Sequence, residues 1–170
     1  METFKTINPE EISENTFKLI GKDWMLITAS DGEKVNSMTA SWGGFGVLWG
    51  KNVVYIVVRP QRYTKEFIDK SNKFSITFFN EEYRPQLAYM GKVSGRDEDK
   101  IAKSGLNIIE SNGVPFFKEG KLSAICNVLY KQNIMAENFL DESIDEQWYP
   151  EKDYHTLYVA EIKEVFVKSN

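Results

Sequence analysis

Gly43, Gly44, Gly46 and Gly50 place four glycines within eight residues, directly ahead of the apolar run Val53-Val-Tyr-Ile-Val-Val58. Glycine loses more conformational freedom on ordering than any other residue, so the first segment does not make a helix. The second is rich in β-branched side chains, which favour strands. Pro60 has no N–H to give a ladder and ends it. The middle of the chain is thereby committed to extended structure: residues 43–50 read as a loop or bulged strand, and residues 52–59 as a buried strand.

The flanking sequence continues this pattern. Residues 24–30 read as a strand, Asp31-Gly32 as a turn, and residues 36–42 as the returning strand of a hairpin. Residues 73–79 alternate, with Phe74, Ile76 and Phe78 on one face and Ser75 and Thr77 on the other. Residues 122–130 and 155–167 read as further strands, and residues 63–71, 82–90 and 97–104 as short helices. Residues 91–95 are read as loop, residues 138–153 as a long surface connection, and residues 1–23 as an N-terminal arm or short strand. Six or so strands with short helical insertions predict a mainly β protein, pairing antiparallel in a small barrel rather than a doubly wound sheet.

A chain of 170 residues is expected to form one domain over 1–170. Its net charge of −4 provides no basic field for a nucleic-acid backbone. Its longest apolar runs are too short to cross a bilayer, and the opening residues show no basic segment followed by an apolar one. The chain is therefore expected in the cytoplasm, away from nucleic acid and membrane. Cys126 and His155 are the sole cysteine and histidine, too few for a Cys/His zinc site, and no metal site is assigned.

The stretch 36–64 carries the chemistry. Ser37, Thr39 and Ser41 alternate with Met38, Ala40 and Trp42, so a strand here would offer hydroxyls on one face and packing on the other. Arg62 and Thr64 follow the apolar strand and open a helix, where phosphate oxygens would find charge-assisted donors and a positive helix end. Taken alone, the alternating hydroxyls are more often an ordinary solvent-facing side, and the arginines surface residues in weak ion pairs. Other nucleotide motifs fail: Phe45 stands where a P-loop needs glycine, and Trp49 where a dinucleotide fingerprint does. No Gly-x-Ser-x-Gly elbow exists, and Cys126 lies in an apolar strand as a small hydrophobe would.

The run Asn36-Ser-Met-Thr-Ala-Ser-Trp42, followed by Arg59-Pro-Gln-Arg-Tyr-Thr64, resembles the flavin reductase-like family of FMN-binding split barrels, in its flavoredoxin-like branch. Gly91-Lys-Val-Ser-Gly-Arg-Asp97 with Lys100, the strand holding Cys126, and the terminal stretch from His155 fit the same family in order. The resemblance implies a homodimer of six-stranded antiparallel Greek-key split barrels with FMN at the subunit interface. Electrons would pass from NADH, NADPH or a protein donor through FMN to a flavin or other small acceptor. It further implies cofactor contacts from Asn36, Ser37, Met38, Thr39, Ala40, Ser41, Trp42, Arg62, Tyr63, Thr64, Lys92 and Ser94. His155 and Trp148 are assigned to the substrate pocket, against the plainer reading of both as packing residues. The alternatives are an electron carrier that binds FMN without NAD(P)H turnover, and a non-redox barrel for haem or another ligand, the latter disfavoured by the single imidazole.

Overall fold

The computed structural model describes residues 4–169; residues 1–3 and 170, at the ends of the expected N-terminal arm and of the chain, lie outside the described residues. The strands are β1 (Phe4–Ile7), β2 (Met25–Ser30), β3 (Val35–Ala40), β4 (Gly43–Leu48), β5 (Lys51–Val58), β6 (Lys73–Phe78), β7 (Ile108–Ser111), β8 (Val114–Phe117), β9 (Leu122–Asn133) and β10 (Thr156–Lys168). The helices are α1 (Thr16–Lys18), α2 (Thr64–Ser71), α3 (Arg84–Lys92), α4 (Lys100–Ser104) and α5 (Glu142–Trp148). Among the described residues, no helix is long and apolar enough to cross a membrane.

All pairings are antiparallel, and the main sheet runs β3-β2-β6-β9-β10-β5-β4 with β1 added on β10. The sheet curls on itself: Phe45 of β4 lies 6.2 Å from Phe78 of β6, four places away in strand order. Inside the curl, Met25, Ile27, Met38, Ile56, Phe74, Ile76, Phe78, Cys126 and Tyr158 form one buried cluster. The expected class therefore holds, mainly β with short helices, although ten strands are present among the described residues rather than six. The additional ones are β1, β4 and the separate β7–β8 hairpin.

Each departure from the sequence reading has a local cause. Residues 43–48, expected as loop or bulged strand, form a regular strand paired with β5. Its glycines are required by close approach rather than by flexibility. A Cβ on Gly43 would stand 2.4 Å from the Tyr55 carbonyl oxygen, and one on Gly44 2.5 Å from the Tyr55 ring. Trp49 and Gly50 both have positive φ, the twist that suits a two-residue hairpin. Gly91 and Lys92, expected as loop, complete the last turn of α3. Residues 138–153 contain α5 in place of a plain connection. Ser75 and Thr77, on the outer face of β6, are buried because β8 and the turn after it cover them: Ser75 Oγ donates to Pro115 O at 2.6 Å, Gly120 lies against Thr77, and Thr77 Oγ1 accepts from Ser123 Oγ of the neighbouring strand β9 at 3.1 Å.

Candidate functional site

β3, the end of β5 and the start of α2 converge where β10 begins. Between them lie two adjoining cavities of about 220 and 300 Å³, which share Met38, Arg59 and Arg62 and form one groove. Its first part is lined by Met38, Thr39, Ala40, Ser41, Trp42, Trp148 and His155, and its second by Asn36, Tyr63, Thr64, Lys92 and Ser94. Residues scattered over more than a hundred positions of the chain are thus brought together.

Ser37 stands apart. Its hydroxyl donates to Ile27 O at 3.1 Å and shares a 2.9 Å bond with Thr28 Oγ1, buried between β2 and β3. Thr39 Oγ1 reaches the groove wall but donates to Leu87 O at 2.5 Å. The hydroxyl face expected to offer donors is therefore largely bonded within the fold, because hydroxyls on a covered strand must satisfy themselves on nearby carbonyls. Asn36 Nδ2 donates to Thr64 Oγ1 at 2.8 Å, and Gly95 sits so near that an added Cβ would meet Asn36 Oδ1 at 2.0 Å.

The electrostatics of the second cavity are one-sided. Arg62 Nη1 donates to Gly91 O at 3.0 Å, and Lys100 Nζ donates to Met90 O at 2.9 Å and Val93 O at 3.0 Å. These partners are neutral carbonyls; among the described residues no ion pair involves Arg62, Lys92 or Lys100. Burial, helped by repulsion from Arg62, pushes the Lys100 ammonium down to about 8. Burial and the charge of Arg59 likewise lower Arg62. Arg96, in the loop that follows Ser94, is already engaged: it pairs with Glu66, donates to Gln61 O at 3.0 Å and lies over the Tyr63 ring.

At the other end, Trp42 and Trp148 meet edge to face at 4.9 Å, and Trp42 lies 5.3 Å from the His155 ring. Tyr149 OH and His155 Nδ1 are 2.8 Å apart and both residues are buried. Arg59 ties this end together, pairing with Asp153 at 2.5 Å and donating to Trp148 O at 2.8 Å. Burial first, then the charge of Arg59, hold His155 down to about 4, so its imidazole is neutral near pH 7. Two groove residues, Arg59 and Lys100, belong to the stretches that carry the family resemblance but receive no role from the sequence: Arg59 reads as a surface arginine, and nothing in the local spacing marks Lys100 as buried. Tyr149, bonded to His155 behind the groove wall, is visible in the sequence only as the neighbour of Trp148.

The family model for the flavin reductase like domain matches residues 17–170. The chain belongs to the flavin reductase-like family. An uncharacterized protein of Archaeoglobus fulgidus is 27% identical over 135 residues, covering 78% of this chain and 66% of its own length, so the chain spans just under two thirds of that relative. Among solved structures, an FMN-binding domain of a flavin reductases-like enzyme from Shewanella baltica aligns with a TM-score of 0.72 and 18% identity, over 98% of this chain and 78% of that one. Flavoredoxin from Methanosarcina acetivorans aligns with a TM-score of 0.66 and 22% identity, over 95% and 73%. At these identities the structures share the fold of the flavin reductase-like family; what each of them binds is a property of that protein.

Proposed function

We propose that the protein binds FMN in the groove between β3, β5 and α2 and serves as an oxidoreductase of the flavin reductase type. The observation that carries this reading is the pair Arg62, half-buried, and Lys100, buried, two cations beside the start of α2 with no carboxylate paired to either among the described residues. Buried charge without a partner is costly, and an anion supplied from outside removes that cost. A phosphate monoester, whose oxygens are acceptors only, is an anion of the right chemistry. The residues present fit FMN: cations and a helix start for the phosphate at one end, and Met38, Ala40 and Trp42 beside a flat ring at the other.

Bound FMN would supply the redox chemistry. The chain's own residues bind, orient and exclude water. Arg62 and Lys100 would fix the phosphate, with Thr64, Lys92 and Ser94 around it. Main-chain groups of residues 38–42 would follow the ring edge, and Trp42 with Trp148 would limit solvent at the far end. The electron donor, NADH, NADPH or a protein, and the acceptor, a flavin or another small molecule, belong to the same proposal.

A homodimer completes the reading. It is supported by exposed large apolar side chains on β4, β5 and β9, among them Trp49 and Tyr130, whose rings lie 6.3 Å apart. Exposed apolar surface that clusters in this way suits an interaction face. Light scattering at micromolar concentration tests it, the expected mass being twice 19.6 kDa.

The deciding experiment is an absorbance spectrum of the purified protein with FMN, recorded before and after NADH and, separately, NADPH. Bound flavin that bleaches with either is the expected result. Bound flavin that bleaches only with a reduced redox protein establishes the carrier reading, and failure to bind FMN overturns the proposal.

A further inference from the structure

His155 is the only histidine of the chain, and the FMN reading above uses its ring as a wall and not as a chemical group. Its two nitrogens are in different situations. Nδ1 lies 2.8 Å from the Tyr149 hydroxyl. Among the described residues Nε2 has no hydrogen-bond partner, and it is not shut away: the buried side-chain atoms left without a partner there are Gln86 Oε1 and Asp153 Oδ1. Since the ring lines the groove beside Trp42, the nitrogen left open faces the ligand space.

The direction of the Tyr149 bond follows from satisfaction of hydrogens. Tyr149 is 3% exposed, and among the described residues Nδ1 is the one acceptor within bonding distance of its hydroxyl. If Nδ1 carried the proton, the phenol hydrogen would be buried with nothing to receive it, at a cost of about 1–3 kcal/mol. With the phenol donating, Nδ1 is the acceptor and the ring proton must sit on Nε2. Tyr149 is in turn held in place: Arg59 lies 5.2 Å over its ring, and Tyr154 packs against it at 4.9 Å. The charged and titratable groups facing His155 are Arg59, Asp153, Arg62 and Tyr149. Asp153 is already paired with Arg59 and accepts from Gln61 Nε2 at 2.7 Å.

We infer that Tyr149 is a positioning residue that locks His155 in the Nε2–H tautomer, so that the groove presents an uncharged hydrogen-bond donor to a carbonyl oxygen of a flat ring ligand. The carbonyl belongs to the isoalloxazine ring of FMN or to the carboxamide of a nicotinamide. This inference rests on the proposed function for its ligand but not for its tautomer. An uncharged donor would hold such an oxygen without placing a full positive charge beside the cations at the other end of the groove. The lock also orients the ring for free, because the phenol fixes one nitrogen while leaving the other to the ligand.

A single histidine makes the test direct. Long-range ¹H–¹⁵N correlation on protein labelled at histidine nitrogen, recorded at pH 7 without flavin, reports the tautomer. The expected result is Nε2–H alone; a ring protonated on Nδ1 overturns the inference, whatever any variant does. Tyr149→Phe removes only the hydroxyl and is expected to return the ring toward the mixture of free histidine, with its titration midpoint moving up. A variant that keeps the parent's tautomer and midpoint overturns the lock. FMN and then NADH are added to the parent, and the Nε2 resonance is expected to move with the molecule whose oxygen it meets. Movement with neither, in a sample whose absorbance shows bound flavin, overturns the donor role. The same absorbance, if it shows no bound flavin, counts against the proposed function instead.

Discussion

The Asn36 side-chain amide donates to the Thr64 hydroxyl oxygen at 2.8 Å, joining β3 to the first residue of α2 across 28 positions of sequence. Both residues are buried, so this bond is part of the fold as well as of the groove wall. Thr64→Val leaves the Asn36 amide without its acceptor. A buried donor abandoned in this way costs about 1–3 kcal/mol. Chemical denaturation is expected to show that loss of stability, and FMN and riboflavin affinity to fall together as β3 and α2 loosen. A selective loss of FMN with unchanged stability would show that Thr64 serves the phosphate instead.

Arg62 is the stronger candidate for selectivity. Its guanidinium makes one bond to a main-chain carbonyl and has four further N–H groups to give. Arg62→Ala is expected to weaken FMN roughly ten- to a hundredfold, since a charged hydrogen bond is worth about 1.5–3 kcal/mol. Riboflavin, with the same ring and no phosphate, is the control. Equal losses for both ligands would mean that Arg62 supports α3 through Gly91 and not the anion.

Lys100 gives the groove a pH dependence whose sign can be worked out. Its ammonium is lowered from 10.5 to about 8 in the fold. Between those values the unfolded chain holds more protons, so the fold gains stability as pH rises from about 8 to 10.5. Binding works in the opposite direction. A phosphate favours the charged ammonium, so FMN is expected to bind with proton uptake near and above pH 8. Its advantage over riboflavin should shrink as pH rises through that region. Lys100→Met, measured by calorimetry in buffers of different ionisation enthalpy, is expected to lose both the uptake and the pH dependence.

The sequence makes the scaffold legible where periodicity and punctuation agree. β-branched residues up to Pro60, the alternation at Phe74, Ile76 and Phe78, and the turn at Asp31-Gly32 each place a strand, because local preference and global packing ask for the same thing. β4 is legible as extended but not as regular, since only the structure shows that Tyr55 lies against Gly44. The β7–β8 hairpin is missed because its strands are four residues each. The groove is read from the letters as a set of residue types, and apart from Ser37 the assigned positions line it. What the letters do not carry is the use already made of each polar group. Ser37 and Thr39 are bonded inside the fold, while Lys100 is buried by α3 and the turn after it, long-range facts with no local sign.

His155 makes acid stability a probe of the same end of the groove. Its imidazole is lowered from 6.5 to about 4, chiefly by burial. Above pH 6.5 folded and unfolded chains both hold it neutral, and the fold has its full stability. As pH falls from 6.5 to 4 the unfolded chain takes up a proton that the folded one refuses, and stability is lost across that window. Below about 4 both states are protonated and this loss is complete. At about 1.4 kcal/mol per pKa unit, and allowing for screening of a ring that opens on the groove, the loss is on the order of 2 kcal/mol. Carboxylates give a separate signal: Asp31, held down to about 2 by the main-chain N–H groups of Lys34 and Glu33, loses its contribution only at lower pH. Thermal unfolding followed from pH 7 to 4 is therefore expected to show a fall in Tm that His155→Gln removes, leaving the later decline below pH 4 in place. If the parent is flat between pH 6.5 and 4, or the variant falls as steeply as the parent, His155 is not held neutral by the fold and the ring is open to water.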